Sequence, residues 1–456
     1  MRTIHGNPLL PLHPGPAPSQ QEVTRLKYAI VGAGARHGMF RRAITETHPE
    51  NNDLVALCDV NERRLALSAG KIAHQPGNGI ATYDAVEFDR MLDEQAPDTV
   101  IVTTPDYLHH EYIVRALKAG RNVMTEKPMT VDLEKLKAIL DAQEESGRKV
   151  TVTFNYRYTP ARTQLKDLLM SGVIGEITAV DFRWYLDRVH GADYFRRWHR
   201  YKEKSGGLLV HKSTHHFDLM NWWVDSTPKT VSANGKRQFY TPEMAVELGL
   251  GDHGERCHEC PAFERCDYRL DLAGDEALRE LYLDAEDADG YLRDKCVFAD
   301  DITIEDTMQV QVKYANDVFL NYTLCAYSPW EGLEIKFHGT KGELTHRHVE
   351  VHGVFGGVRD KSADENMTTV LHLNGQRPQQ IDVWAGDGDH GGADPVMLGY
   401  LFDPAGMEPD RYNRASSHRE GAWSILTGIA ANTAIASGQT VDVDKMLAEA
   451  GIVLER

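Results

Sequence analysis

The sequence predicts an α/β domain with a doubly wound parallel sheet, followed by an α+β domain built on a largely antiparallel open sheet. Three observations carry this. From 25 to about 150, short apolar runs alternate with helical stretches, the pattern of a parallel sheet covered on both faces. A glycine-rich turn joins the first of those strands to its helix. Beyond about 160, the strands become β-branched and aromatic and fall at hairpin spacing.

Tyr28-Ala29-Ile30-Val31 is the first strand; it ends in Gly32-Ala33-Gly34 and turns into a helix near Ala35 and Arg36. Glycines at 32 and 34 let the backbone turn tightly and approach a phosphate, while the helix start offers free N–H groups to a pyrophosphate. Leu54-Val55-Ala56-Leu57-Cys58 is the second strand, and Asp59 at its end is placed to accept the ribose hydroxyls of an NAD adenosine. The third glycine comes one position late, at 38, with His37 where a small residue is expected, so the turn should widen near the pyrophosphate. A helix over 62–73, a strand over 99–103, a helix over 110–119, a strand over 122–125 and a helix over 131–147 continue the alternation. Ligands of such sheets collect at the carboxyl ends of strands, where Gly32, Asp59, Thr104 and Lys127 all fall.

The first domain is expected to span 25–153 and the second 154–456, after a Pro-rich arm at 1–24. Strands are expected over 175–186, 230–233, 308–314, 318–324, 333–338 and 343–346, with turns at 315–317 and 339–342. An Ala-rich terminal helix is expected over 419–437. The chain carries 41% hydrophobic residues, enough for real cores, and no 18-residue uncharged apolar run that would span a membrane. Its net charge of −18 disfavours a nucleic-acid partner. The excess is local: 241–300 holds 17 Asp/Glu against 6 Lys/Arg, a balance of −11 in what reads as an acidic insertion.

The densest polar cluster is 206–218, where His211, Lys212, His215, His216 and Asp218 lie close together. A helix starting near 212–214 would set His211 and His215 one turn apart on one face, with Asp218 near it. Histidine is suited to moving a proton near neutral pH. The same spacing could ligate a metal, but Lys212 stands where a cation is unhelpful. Lys127 follows a core strand at the ligand edge and is held by Pro128; partial desolvation there would lower its pKa and suit it to proton transfer, with Glu126 as its partner or a ribose contact.

Taken together, Val31-Gly32-Ala33-Gly34, Cys58-Asp59-Val60, Thr103-Thr104-Pro105-Asp106-Tyr107-Leu108-His109, Ala119-Gly120-Arg121-Asn122-Val123 and Glu126-Lys127-Pro128 resemble the glucose–fructose oxidoreductase, inositol dehydrogenase and MocA-like (Gfo/Idh/MocA) family. The resemblance implies a Rossmann domain, a sheet domain that mediates homodimers or homotetramers, and NAD(P)-dependent oxidation or reduction of sugars or polyols. It gives Lys127 and His215 the family's active-site roles. Thr103, Thr104, Pro105 and His109 match its nicotinamide-side loop, and Asn155, Tyr156 and Arg157 its cleft-facing strand end. The family's Asp-x-Gly-x-His is here His211-Lys212-Ser213-Thr214-His215, so His211 is a further proton carrier or the site favours an anionic sugar.

Asp59 would repel a 2′-phosphate, although Arg63 and Arg64 could approach one; NAD is therefore expected over NADP. A second mechanism fits the same residues: transient oxidation, elimination of a glycosidic substituent, water addition and re-reduction, with NAD retained. For that cycle His390, in the polar run at 387–395, is a further candidate; Lys212 and His216 are candidate substrate contacts. A dinucleotide-binding sensor without turnover is a third reading. Cys257, Cys260, Cys266 and Cys296 are compatible with a structural zinc, ahead of an iron–sulfur centre, with disulfides, which a cytoplasmic setting disfavours, or with free thiols. A cytoplasmic location is expected.

Overall fold

The computed structural model describes residues 25–72, 79–355, 358–361, 366–386 and 389–456. The arm at 1–24 lies outside them. Six strands form the first sheet: β1 (Leu26–Val31), β2 (Asn52–Asp59), β3 (Ala81–Asp84), β4 (Thr99–Val102), β5 (Asn122–Thr125) and β6 (Val150–Val152). Their order is β3-β2-β1-β4-β5-β6, all parallel. The order reverses between β1 and β4, which opens a crevice at their carboxyl ends. Every residue of β4 is buried, as a strand covered on both faces requires; each such Val or Ile contributes about 2 kcal/mol. Gly32 sits at φ +96, and a Cβ there would lie 2.6 Å from the Thr103 carbonyl carbon, so only glycine permits this approach of β1 to β4.

The helices follow the same logic. Asn61 caps the helix Glu62–Gly70 by accepting from the Arg64 N–H, and Asp132 caps Leu133–Ser146 by accepting from Lys135. Gly147 ends the latter at φ +62. The pattern missed the helices Phe88–Gln95 and Arg188–Arg196. From Asp389 the polar run is helical: a helix occupies Asp389–Phe402 and sends Phe402 against Tyr28 of β1, with ring centroids 5.2 Å apart.

The second sheet contains β7 (Ile177–Asp187), β8 (Pro228–Lys236), β9 (Thr307–Tyr314), β10 (Phe319–Ser328), β11 (Glu331–Gly339) and β12 (Gly342–Val351). After a ribbon of β13 (Gly353–Phe355) and β14 (Val358–Asp360), the sheet is completed by β15 (Met367–Leu373), β16 (Gln379–Ile381) and β17 (Val441–Asp442). Its order is β16-β15-β12-β11-β7-β10-β9-β8-β17. Neighbours are antiparallel except β7 and β10, which run parallel. The hairpin between β9 and β10 turns at Asp317 (φ +65), where the Asn-Asp pair tolerates the left-handed conformation.

The terminal helix His418–Ser437 starts in a capping box made by Ser417 and Glu420. It returns to the first domain: Ser416 accepts from the Val152 N–H at 3.0 Å, and Ser417 bridges to Thr151 of β6. Adjacent strands β8 and β9 are joined by a long acidic excursion over 237–306 that has no named strand among its described residues. No helix among the described residues is long and apolar enough to cross a membrane.

Candidate active site

A cleft of about 1110 Å³ runs from the glycine turn to the face of the second sheet. At one end are Gly32, Gly34, Ala35, Arg36 and Asp59. Asp59 is pinned by two backbone donors, the N–H of Ala33 at 2.5 Å and of Asn61 at 2.8 Å, and burial raises its pKa. A Cβ built on Gly34 would meet nothing within 4 Å, so the backbone there borders open space of the kind a pyrophosphate fills. Thr103 closes over the turn by donating to the Gly32 carbonyl at 2.6 Å. Thr104 and Pro105 line the next stretch, and the buried Thr104 Oγ1 has no protein partner, a group a bound ligand would satisfy. His109 braces this loop between the carbonyls of Thr104 and Pro128, both at 2.8 Å.

Lys127, at the end of β5, lies mid-cleft with His215, His211, Lys212, Asn155 and Tyr156. Its Nζ donates to the His211 carbonyl at 3.3 Å, and burial lowers its pKa to about 8 against the opposing charge of Asp106. His215 stacks on Tyr156 with centroids 4.0 Å apart. Lys212 donates to the Tyr156 hydroxyl at 3.1 Å and lies over the Trp184 ring. Asn155 donates to Asp394 at 2.6 Å, and its own Oδ1 is buried without a protein partner.

Several expectations need correction. His211 and His215 do not share one helix: His211 ends the helix Gly207–His211, and His215 belongs to Thr214–Val224. The break at Lys212–Ser213 still leaves both rings in the cleft. Asp218 faces away from them and takes both of its oxygens to Arg157, at 2.5 and 2.7 Å, so Arg157 is a buried structural ion pair outside the cleft. His216 is also internal, bonded through Nδ1 to the Tyr322 hydroxyl at 2.6 Å and stacked on Trp184 at 4.2 Å. His37 does not reach the cleft; Nδ1 meets the Gly34 carbonyl and Nε2 lies 2.7 Å from Ser68 Oγ, so the ring fills the space beneath the turn. Glu126 pairs with Arg36 at 2.8 Å rather than with Lys127. The side chain of His390 lies outside the described residues.

The sequence reading gave no weight to Asp106 or His199. Asp106 Oδ2 lies 2.5 Å from His211 Nδ1, and the His199 ring centroid is 4.0 Å from that of His211. Burial raises the Asp106 pKa well above the usual carboxylate range and lowers both imidazoles well below theirs. Asp106, His199 and His211 present donor atoms within 4.8 Å of one another, in place of the His211, His215 and Asp218 set that spacing suggested. Lys127 and Arg197 act on both rings, which favours a carboxylate–imidazole relay over a divalent cation. Asp106 sat within the quoted Thr-Thr-Pro-Asp motif and could have been found there; nothing in the run at 198–200 pointed to His199.

The adenosine end of the cleft has an unexpected wall. Tyr282, Asp289, Gly290 and Tyr291 of the acidic excursion line it beside Asp59 and Arg64. Arg64 donates to Asp289 at 2.6 Å and to the Leu281 carbonyl at 3.0 Å, while Arg63 binds Asp287 and the Asp284 carbonyl, both at 2.5 Å.

Two family models match this chain: an oxidoreductase family NAD-binding Rossmann fold over residues 26–154, and an oxidoreductase family C-terminal alpha/beta domain over 166–443. The chain belongs to the Gfo/Idh/MocA oxidoreductase family. Among its relatives, the oxidoreductase YteT of Bacillus subtilis (strain 168) is 35% identical over 401 residues, covering 86% of this chain and 91% of that protein. The inositol 2-dehydrogenase/D-chiro-inositol 3-dehydrogenase of Lactiplantibacillus plantarum is 25% identical over 56% of this chain and 71% of its own. The fold is also that of the aldose–aldose oxidoreductase of Caulobacter crescentus, crystallised with glycerol: TM-score 0.60, 17% identity, 92% of this chain and 99% of that one. Like other Gfo/Idh/MocA proteins, this one pairs an NAD-binding Rossmann domain with a mixed-sheet α+β domain, and it is an NAD-dependent oxidoreductase.

Proposed function

We propose that the chain transfers hydride between a nicotinamide and a hydroxyl-bearing carbon of a sugar, sugar derivative or polyol. One observation carries this reading: the Lys127 amine, its pKa drawn down to about 8, shares a single cleft with the glycine turn and with His215. NAD, when bound, supplies the hydride acceptor. Lys127 takes the hydroxyl proton during oxidation and returns it in reduction, and His215, beside the same space, shares that task. Asp106 is a positioning residue that fixes the tautomer of His211. Lys212, Asn155 and Tyr156 hold the substrate, with Lys212 suited to a carboxylated sugar. The named activities of the inositol and aldose relatives support the substrate class.

NAD is preferred over NADP because Asp59 repels a 2′-phosphate and the two arginines that could receive one are engaged by Asp287 and Asp289. Residues 25–153 serve as the cofactor domain and 154–456 as the substrate domain, with copies joined through the polar outward face of the second sheet into a dimer or tetramer. None of the six cysteines is paired in a disulfide, which fits a cytoplasmic setting. The test is a panel of inositols, aldoses and uronates with added NAD: nicotinamide reduced in proportion to oxidised product supports the reading.

The second acid–base set at Asp106, His199 and His211 favours a competing reading, redox-neutral glycoside cleavage with retained NAD. Aglycone release without net nicotinamide change would select it. Cofactor binding with neither outcome would leave a sensor.

A further inference from the structure

Four of the six cysteines meet inside the acidic excursion, away from the cleft. Cys257, Cys260, Cys266 and Cys296 line one small pocket, with His253 beside them. The backbone brings the distant Cys296 to the other three. Arg256 and Lys295 form an antiparallel bridge, the Cys257 N–H donates to the Asp294 carbonyl and the Cys296 N–H to the Glu255 carbonyl, both at 2.8 Å.

Two of the four sulfurs accept a backbone N–H. Leu270 donates to Cys257 at 3.4 Å and Gly254 to Cys260 at 3.3 Å. The Arg196 guanidinium adds a positive charge 3.8 Å from Cys257 Sγ. Cys58, in β2, behaves differently: its Sγ lies 3.6 Å from the Asp84 carbonyl, to which a protonated thiol donates, and the residue packs as a small core hydrophobe.

We propose that Cys257, Cys260, Cys266 and Cys296 bind a thiophilic metal centre, an iron–sulfur cluster or a zinc ion, that braces the excursion against the cofactor cleft. The need is physical. This segment has no strand of its own among the described residues and only short helices, yet it must present Tyr282, Asp289 and Tyr291 to the cleft. A cross-link through four thiolates supplies the missing constraint.

The two centres ask for different sulfur spacings. One zinc ion holds sulfur at about 2.3 Å, which draws four thiolates to about 4 Å from one another. Among the described residues, no three of these sulfurs lie within 4.8 Å of each other. A cluster seats its thiolates on separate irons and accepts a wider ring.

The experiment is metal analysis of the full chain, purified without oxygen and without added metal. Iron and acid-labile sulfide at about four each per chain, with a brown absorption bleached by dithionite, is the expected result for a cubane cluster. Stoichiometric zinc in a colourless protein also supports the four-thiolate site. Cys260→Ser and Cys266→Ser should lose the metal, and the control Cys325→Ser should retain it. Should the two site variants fail to fold, the metal content of the unaltered chain decides. Four titratable thiols or two disulfides with only traces of metal would overturn the proposal. Chelator-stripped protein should bind NADH at least tenfold more weakly and be cut by protease within 237–306; unchanged affinity and protection would overturn the bracing role. None of these readouts depends on turnover, so they stand apart from the proposed reaction.

Discussion

Replacing Lys127 by methionine should remove catalysis and stabilise the protein at the same time. Its amine has a pKa of about 8 in the fold against 10.5 outside it, with burial the main cause. Below pH 8 the ammonium is charged in both states, so the folded state carries the full cost of burying it. Between 8 and 10.5 the unfolded chain binds the extra proton, and stability rises with pH. A shift of 2.5 units corresponds to about 3 kcal/mol; because Lys127 is partly open to the cleft, about 1–3 kcal/mol is the expected range after solvent screening. At pH 7, Lys127→Met should therefore gain up to that amount in urea denaturation, and the gain should shrink above pH 9. Its kcat for oxidation should fall by about 10²–10⁴. The rising limb of kcat/KM, tenfold per pH unit below about 8 in the parent, should be flat in the variant. A variant within tenfold of parental activity, or one destabilised at pH 7 and not at pH 9, would refute the assignment of Lys127.

Asp106→Asn should lower kcat by about 10–100-fold and shift the pH profile, because His211 loses the carboxylate that sets its tautomer; an unchanged NADH dissociation constant would separate this from a cofactor defect. Arg157→Ala should cost about 3–5 kcal/mol by leaving the Asp218 carboxylate buried and unpaired, visible as a fall in Tm, and the loss should be partly recovered by adding Asp218→Asn. Gly32→Ala should raise the NADH dissociation constant at least tenfold, since its Cβ must displace the Thr103 backbone. The pair Asp59→Ser with Asp289→Ala removes one repulsive charge and frees Arg64; the ratio of kcat/KM for NADP to that for NAD should rise by about 10–100-fold, equal to about 1.4–2.7 kcal/mol.

The first domain was legible because its signals are local. A fully apolar strand at 99–102, a turn that needs glycine at 32 and a carboxylate closing the second strand each follow from a few adjacent residues. The hairpins of the second sheet were legible for the same reason. What a single strand of text hides is which neighbour a side chain meets across the fold. Asp218 has the spacing to serve His215, yet a bidentate guanidinium sixty-one positions away takes both its oxygens. His211 gains its partner from the loop after β4, because the helix Gly207–His211 stops where that loop arrives. The arginines after Asp59 look available for a phosphate until 281–289 folds back onto them. That last case shows why composition alone misleads: the 17 acidic residues at 241–300 suggest a solvated surface, but two of them are spent closing the adenosine end of the cleft. On the proposed preference for NAD, a segment that reads as solvent-facing bears on which cofactor fits, because Asp287 and Asp289 occupy the two arginines. The four cysteines lie in the same excursion.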